Sequence, residues 1–250
     1  MFKTKIAVIS VPFIISETHF NLAKSTLISL ISNKHDYELN FISVINRFDS
    51  SEEDMNWLKN ISSEFIFNDK NILARAWNIG IKKALQMGAE LILVTNLDIF
   101  FHEHFLQNLI TFAKENPSPI IWGGINWPPP NITAQDDPVP LVFHGVHFSC
   151  FLCDHRLFSE VGEFDEAFMP AYHEDSDMTY RISLSGHSAL STSSARYNHL
   201  DRGTLKAAIE AGNPEFVVST QQYLDSSLQY YCKKWGGPPG KETYTKSFGK

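Results

Sequence analysis

The carboxylates of His173-Glu174-Asp175-Ser176-Asp177 are the densest chemistry in this chain. Two are adjacent, a third follows two residues on, and Arg181 comes next. Just upstream runs Val161-Gly162-Glu163-Phe164-Asp165-Glu166. Acidic groups this close repel one another unless a cation, a hydrogen-bond donor or a proton is shared among them. The cluster is therefore a cation site, a general-base site or the acidic first turn of a helix. A second acidic position, Asp98 in Asn96-Leu97-Asp98, follows the apolar run Leu91-Ile92-Leu93-Val94. Asp is a hard oxygen ligand for Mg²⁺ or Mn²⁺ bridging phosphates, and equally a loop residue that caps a following helix. His199 offers either a neutral imidazole to join Asp98 on a metal or a polar strand end. A chain with both groups suits an enzyme that holds a metal-bound diphosphate at one point and deprotonates an acceptor at another.

Other chemistry is absent. Gly123-Gly124 and Gly236-Gly237 lack the spacing of phosphate-binding loops, and there is no serine nucleophile elbow and no zinc-protease helix motif. Cys150 and Cys153 have the spacing of a redox or zinc pair, but they fall in an expected strand, where positions i and i+3 face opposite sides. Buried structural thiols are the better reading.

The elements that must position these groups follow from hydrophobic period. Strands are expected at residues 5–11, 39–45, 64–67 and 91–95, and helices at 18–32, 71–87 and 105–114. Ser50 with Glu53 reads as a capping box opening a short helix to residue 58. The continuous apolar character of 91–95 fits a strand covered on both faces. Repeated strand–helix units imply an α/β, doubly wound, mostly parallel sheet over residues 5–122. In such sheets ligands bind beyond the strand C-termini, where Asp98 falls.

The pattern then changes. Residues 127–140, rich in Pro, Asn and Asp, read as a surface loop, 147–153 as a strand and 156–161 as one helical turn. A helix is expected at 175–185, short extended pieces at 189–191 and 195–197, a last helix from Pro214 to residue 234, and an exposed tail.

The whole chain has 250 residues, 43% of them hydrophobic, enough for one domain with a sizeable core. A net charge of −7 argues against nucleic-acid partners. No apolar run approaches a bilayer span, and the apolar part of the opening is too short for a secretory signal. Three cysteines do not suggest a disulfide framework, and a cytoplasmic location is the expectation.

Taken together, four segments resemble the GT-A glycosyltransferases, specifically the inverting enzymes of family 2. Val11-Pro12-Phe13 is similar to the family's strand–Pro–aromatic entry to the nucleotide site. Asn71, Arg75 and Asn78 resemble its Asn–Arg–Asn segment after the third strand, and Asn96-Leu97-Asp98 stands where the family has D-x-D. The longest match runs from Phe148 to His199 and takes in Arg156, Gly162, Glu174, Asp175, Asp177, Arg181 and Gly186.

The resemblance implies a Rossmann-like GT-A domain over 1–250. Residues 5–122 would bind a nucleotide-sugar, 123–200 would carry acceptor binding and catalysis, and 201–250 would form a C-terminal helix and tail. It implies a UDP-sugar donor first, with GDP- or dTDP-sugars as options, Mn²⁺ or Mg²⁺ on the diphosphate, and a glycan or glycoconjugate acceptor. By position, Val11, Pro12, Phe13, Asn46, Asn71, Arg75, Asn78, Asn96, Leu97 and Asp98 would bind the donor. Asp98 and His199 would hold the metal, Asp175 would be the base, and Glu174 would orient the acceptor. Two positions depart from the pattern: Asn96 replaces the first D-x-D acid, and Asn46 stands where an acidic residue usually follows the second strand. A sugar-binding module without catalysis is the competing reading. A nucleotidyltransferase ranks last, because Ser10-Val11-Pro12-Phe13-Ile14-Ile15 has neither Gly nor a basic residue.

Overall fold

The computed structural model describes residues 4–33, 37–126, 140–200 and 214–250. The loop expected at 127–140 lies almost wholly outside them. Strands β1 (Lys5–Ser10), β3 (Glu38–Ile45), β5 (Glu64–Phe67) and β6 (Leu91–Thr95) form a parallel block in the order β5–β3–β1–β6. A two-stranded ribbon, β2 (Phe13–Ile14) with β4 (Arg47–Phe48), lies off this sheet.

Alternation along β1 shows why both faces are covered. Ile6 and Val8 join Phe20, Ala23, Leu27 and Leu30 of helix α1 (Glu17–Ser32) in one core cluster. Ala7 and Ile9 join Ala74, Ala76, Trp77 and Ile81 of helix α3 (Leu73–Gln86) in another. Successive side chains point to opposite faces, so a strand apolar at every position must be buried twice. Helices α2 (Glu52–Ile61) and α4 (Phe105–Glu115) pack on the α1 side, and α5 (Glu174–Leu184) packs on the α3 side. Gly80 lets α3 approach β1, since a Cβ there would stand 2.5 Å from Ile9 Cγ2.

Beyond β6 the sheet is mixed. Strand β10 (Cys150–Cys153) runs antiparallel to both β6 and β8 (Ile121–Asn126). Strand β11 (Ala189–His199) pairs parallel with β8 and antiparallel with β7 (Ile99–Phe101) and β9 (Val142–His144). The two short pieces expected at 189–191 and 195–197 are thus one strand, with a register shift between Ser191 and Arg196. The expected strand at 147–153 is shorter, and the turn after it, Leu157–Val161, is π-helical.

Two further expectations change in detail. The cap of α2 is Ser51, whose Oγ accepts the Asp54 N–H at 3.1 Å, while Ser50 Oγ donates to the Asp54 carboxylate at 2.5 Å. The last helix, α6 (Pro214–Trp235), is followed by an exposed but tethered tail: the N–H groups of Thr243 and Tyr244 donate to the Trp235 carbonyl, each at 3.0 Å.

Candidate active site

Parallel register aligns Ser10 with Ser43 and Thr95, so the residues after β1, β3, β5 and β6 share one edge. The Pro12 carbonyl accepts the N–H of Asn46 at 3.0 Å and of Arg47 at 3.3 Å, and the Arg47 guanidinium lies 5.8 Å from the Phe13 ring centre. Asn68, directly after β5, donates from Nδ2 to Asn46 Oδ1 at 2.7 Å and accepts from Arg75 Nε at 3.1 Å. A guanidinium only donates, so Asn68 must turn its oxygen to Arg75 and its nitrogen to Asn46. Asn46 then faces Asn68 with its oxygen and keeps its NH₂ for another partner. That side of Asn46 therefore offers a donor, where a carboxylate would offer only acceptors.

Arg75 also pairs with Asp69 at 2.7 Å and reaches Glu166 at 3.5 Å. Asn78 is buried, and its amide is spent within the chain. Nδ2 donates to the Phe164 carbonyl at 2.9 Å and Glu166 Oε1 at 3.1 Å, and Oδ1 accepts the Phe164 N–H at 2.9 Å. The structure therefore sets Asn78 beneath the turn leading to α5, as a strut. Asn71 is exposed at the entry to α3.

At β6 the peptide of Asn96 is held by its N–H to the Ser149 carbonyl at 2.7 Å, and Leu97 packs against the core. Pairing of β7 with β11 sets Ile99 opposite His199, and the Leu200 N–H donates to the Asp98 carbonyl at 2.9 Å. These contacts bring His199 Nε2 to 3.1 Å from Asp98 Oδ1, across 101 residues of sequence. Their side chains are 10% and 13% exposed, sheltered but open to a small ligand. The His147 ring lies 5.6 Å from that of His199, and buried His19 of α1 stands near enough to feel the Asp98 charge. Burial lowers the His19 pKa, and Asp98 opposes that shift.

The pair fits a divalent cation. Two donors at right angles around an ion with bonds of about 2.1 Å stand roughly 3 Å apart. Among the described residues no group of three or more His, Cys, Asp or Glu side chains is gathered for a metal. Most of the ion's coordination would therefore come from phosphate oxygens and water, as suits Mg²⁺ or Mn²⁺.

The acidic pair opens α5 from an unusual backbone. Tyr172 (φ 80°) and His173 (φ 65°) are both left-handed, a conformation that costs a non-glycine residue about 1–3 kcal/mol and clusters at functional sites. Glu174 is 4% exposed, and its Oε2 has no hydrogen-bond partner among the described residues. Burial first, then the charge of Asp175, pushes its carboxyl up to about 8, against backbone hydrogen bonds at Glu174 and Tyr172. Near neutral pH Glu174 therefore keeps its proton, beside a half-buried Asp175. Asp175 Oδ1 accepts from the N–H and the hydroxyl of Ser176 at 2.6 and 3.3 Å. Asp177 is wholly buried and serves the fold, bonded to Arg181, Lys234 and Trp235.

Cys150 and Cys153 are buried thiols in β10, with burial raising Cys150 to about 12 and Cys153 higher still. Asn68 carries one signal in the sequence, its place directly after a parallel strand. His147, Ser149 and Lys234 carry none, because their partners lie far away in the chain.

No protein family matches the chain by sequence, and no curated protein does. Solved structures do. The chain is similar to the mannosyltransferase PcManGT from Pyrobaculum calidifontis, in complex with GDP-Man and Mn²⁺, at 14% identity and a TM-score of 0.56, over 81% of this chain and 59% of that one. It is similar to GalNAc-T7, with UDP, GalNAc and Mn²⁺, at 13% identity and a TM-score of 0.62, over 79% of this chain and 44% of that one. A third likeness, to S. aureus TarS 1-349, has 12% identity and a TM-score of 0.55, over 77% of this chain and 59% of that one. The chain spans between 44% and 59% of the length of these structures. Joined to the strand order above, these likenesses establish that the fold of this chain is the GT-A fold.

Proposed function

We propose that the chain is an inverting, divalent-cation-dependent glycosyltransferase of family 2 type that moves a sugar from a nucleotide-diphosphate sugar to a hydroxyl of a glycan or glycoconjugate. The observation that carries this reading is the meeting of Asp98 and His199 at the ligand edge of a GT-A fold. Val11, Pro12 and Phe13 enter the nucleotide site, while Asn46, Asn71, Arg75, Asn96 and Leu97 line or support it. Mn²⁺ or Mg²⁺, held by Asp98 and His199, would neutralise charge on the leaving diphosphate. Asp175 accepts the proton of the acceptor hydroxyl as that oxygen bonds to the anomeric carbon. The bond from that carbon to the diphosphate breaks, and its electron pair leaves with the nucleotide. Glu174, buried and protonated, orients the acceptor beside the base.

The donor is a UDP-sugar, with GDP- and dTDP-sugars as alternatives; two similar structures hold UDP and GDP-Man. Cytoplasmic action suits the free thiols. Separately, no described helix is long and apolar enough to cross a membrane.

Thermal shifts with UDP-, GDP- and dTDP-sugars, with and without Mn²⁺, test donor binding, since a bound ligand raises stability by mass action. Asp175→Asn keeps shape but cannot take the proton, so kcat should fall by roughly 10²–10⁴-fold with donor affinity unchanged. Full transfer activity in EDTA would overturn the metal assignment. Donor binding without turnover would favour the binding module instead, the reading that Asn96 supports.

A further inference from the structure

The segment from Asp165 to Asp177 carries Glu174 and Asp175 in its span, and α6 grips it at both ends and in the middle. At the ends, one ammonium serves two acids: Lys234 Nζ lies 2.7 Å from Asp165 Oδ2 and 2.6 Å from Asp177 Oδ1. Lys234 is only 5% exposed, and its head sits over the rings of Phe168 and Trp235. Tyr230 donates its hydroxyl to Asp165 at 2.9 Å, and Trp235 donates Nε1–H to Asp177 at 2.8 Å. In the middle, Ser227 Oγ donates to the Ala171 carbonyl at 3.0 Å, and the Tyr231 ring lies tilted beside His173 with ring centres 6.1 Å apart.

Ser227, Tyr230, Tyr231 and Lys234 recur at helical spacing, so one stripe of α6 faces this segment. Between its grips lie the two left-handed residues, Tyr172 and His173. That conformation is unfavourable by itself and persists only where surrounding structure imposes it. The tail adds a second tie, because Tyr180 of α5 donates its hydroxyl to the Tyr244 carbonyl at 2.9 Å.

We infer that Lys234 is the positioning residue for the acidic pair, with Ser227 and Trp235 as its auxiliaries on α6. The inference rests on the proposed role of Asp175 as base. Lys234 is almost wholly buried and acts through Asp165 and Asp177. It joins both ends of the span that aims Asp175, and without it Asp165 keeps Tyr230 and Asp177 keeps Arg181 and Trp235, but nothing links the two acids.

Lys234→Met, Lys234→Arg, Ser227→Ala and Trp235→Phe test this. A misplacement of about 1 Å at a catalytic group can cost roughly 100-fold in rate. Lys234→Met should therefore lose about 100-fold in kcat while donor affinity stays within about twofold of wild type. Lys234→Arg should recover part of that loss. Ser227→Ala, which removes one hydroxyl from a folded helix, should lose about 3- to 10-fold in kcat if one net hydrogen bond holds the span. It keeps the test informative should Lys234→Met fail to fold.

Amide hydrogen exchange supplies a readout that does not need turnover. Residues 172–177 should exchange faster in Lys234→Met and Trp235→Phe, with β1, β3 and β6 unchanged. If turnover and donor affinity fall together with melting temperature, Lys234 is general fold support and the inference fails. If wild type transfers no sugar yet the exchange pattern holds, the proposed function fails and the clamp stands.

Discussion

The two sides of the sheet hold their candidate residues by different means. On the β5–β3–β1–β6 side, Pro12, Asn46, Asn68 and Asn96 each stand one or two residues beyond a parallel strand, and register alone aligns them. On the other side, Glu174 and Asp175 follow a π-helical turn and two left-handed residues. Nothing periodic places them. They are held by buried charge: Asp165, Asp177 and Lys234, with Trp235 and Arg181 completing the set. Ladder hydrogen bonds are many and individually replaceable. A buried ion cluster has few members, and each leaves an uncompensated partner when removed. The side of Glu174 and Asp175 should therefore respond far more sharply to single changes and to pH.

Three changes would break or sharpen that contrast. The largest effect is expected from Asp177→Ala, which leaves the Trp235 Nε1–H and the Arg181 guanidinium short of an acceptor. Urea denaturation should show a loss of about 3–5 kcal/mol; a loss under about 1 kcal/mol would mean that both sides are held alike.

Next comes Glu174→Gln, through pH. The folded carboxyl titrates near 8 against an ordinary 4.5, so the folded state keeps a proton that the unfolded chain has released. Wild type is then most stable below the ordinary pKa and loses stability as pH rises toward 8, by up to about 1.4 kcal/mol per pH unit. Gln does not titrate, so the variant's advantage should grow between pH 5 and pH 8 and then level off. Melting curves at several pH values that stay parallel for the two proteins would show that Glu174 is not raised.

The smallest effect belongs to the parallel side. Gly80→Ala pushes a methyl against Ile9, and overpacking of this kind costs about 1–3 kcal/mol. Stability should fall while kcat per folded molecule is unchanged. A loss of kcat would couple α3 to the acidic pair, through Arg75, Asn78 and Glu166.

The same contrast explains what the sequence made legible. Strands β5 and β6 and the body of α3 were readable because alternation and helical period are local properties. Strands β2 and β4 have two residues each and β7 three, too few to show any period. The run Ser191-Thr192-Ser193-Ser194 hid the continuity of β11, because no apolar alternation marks it. It stays extended through distant partners, with the Leu141 N–H donating to Ser193 Oγ at 2.8 Å and Asn108 Nδ2 to the Ser194 carbonyl at 2.7 Å. Asp98 and His199 are matched in the sequence by ligand chemistry and by family resemblance, since no spacing rule joins residues on different strands. Lys234 falls in the last turn of a helix, where cations commonly complement the helix dipole. Only the folded chain shows its head buried between two acids.

Strand β10 has a consequence for how the molecule is made. It lies between β6 and β8, yet both of those are synthesised before it. When β8 first emerges, its place in the sheet is separated from β6 by a gap one strand wide. Until residues 150–153 arrive, β6 and β8 each face that gap with an open edge whose backbone groups are unpaired. Closing the gap requires contacts between segments well separated in sequence, which makes it a slow step. A fragment ending after Asn126 would keep those open edges permanently and should self-associate. The parallel block is thus a region of the sheet completed only by its successor, and the molecule folds across the boundary between its two halves.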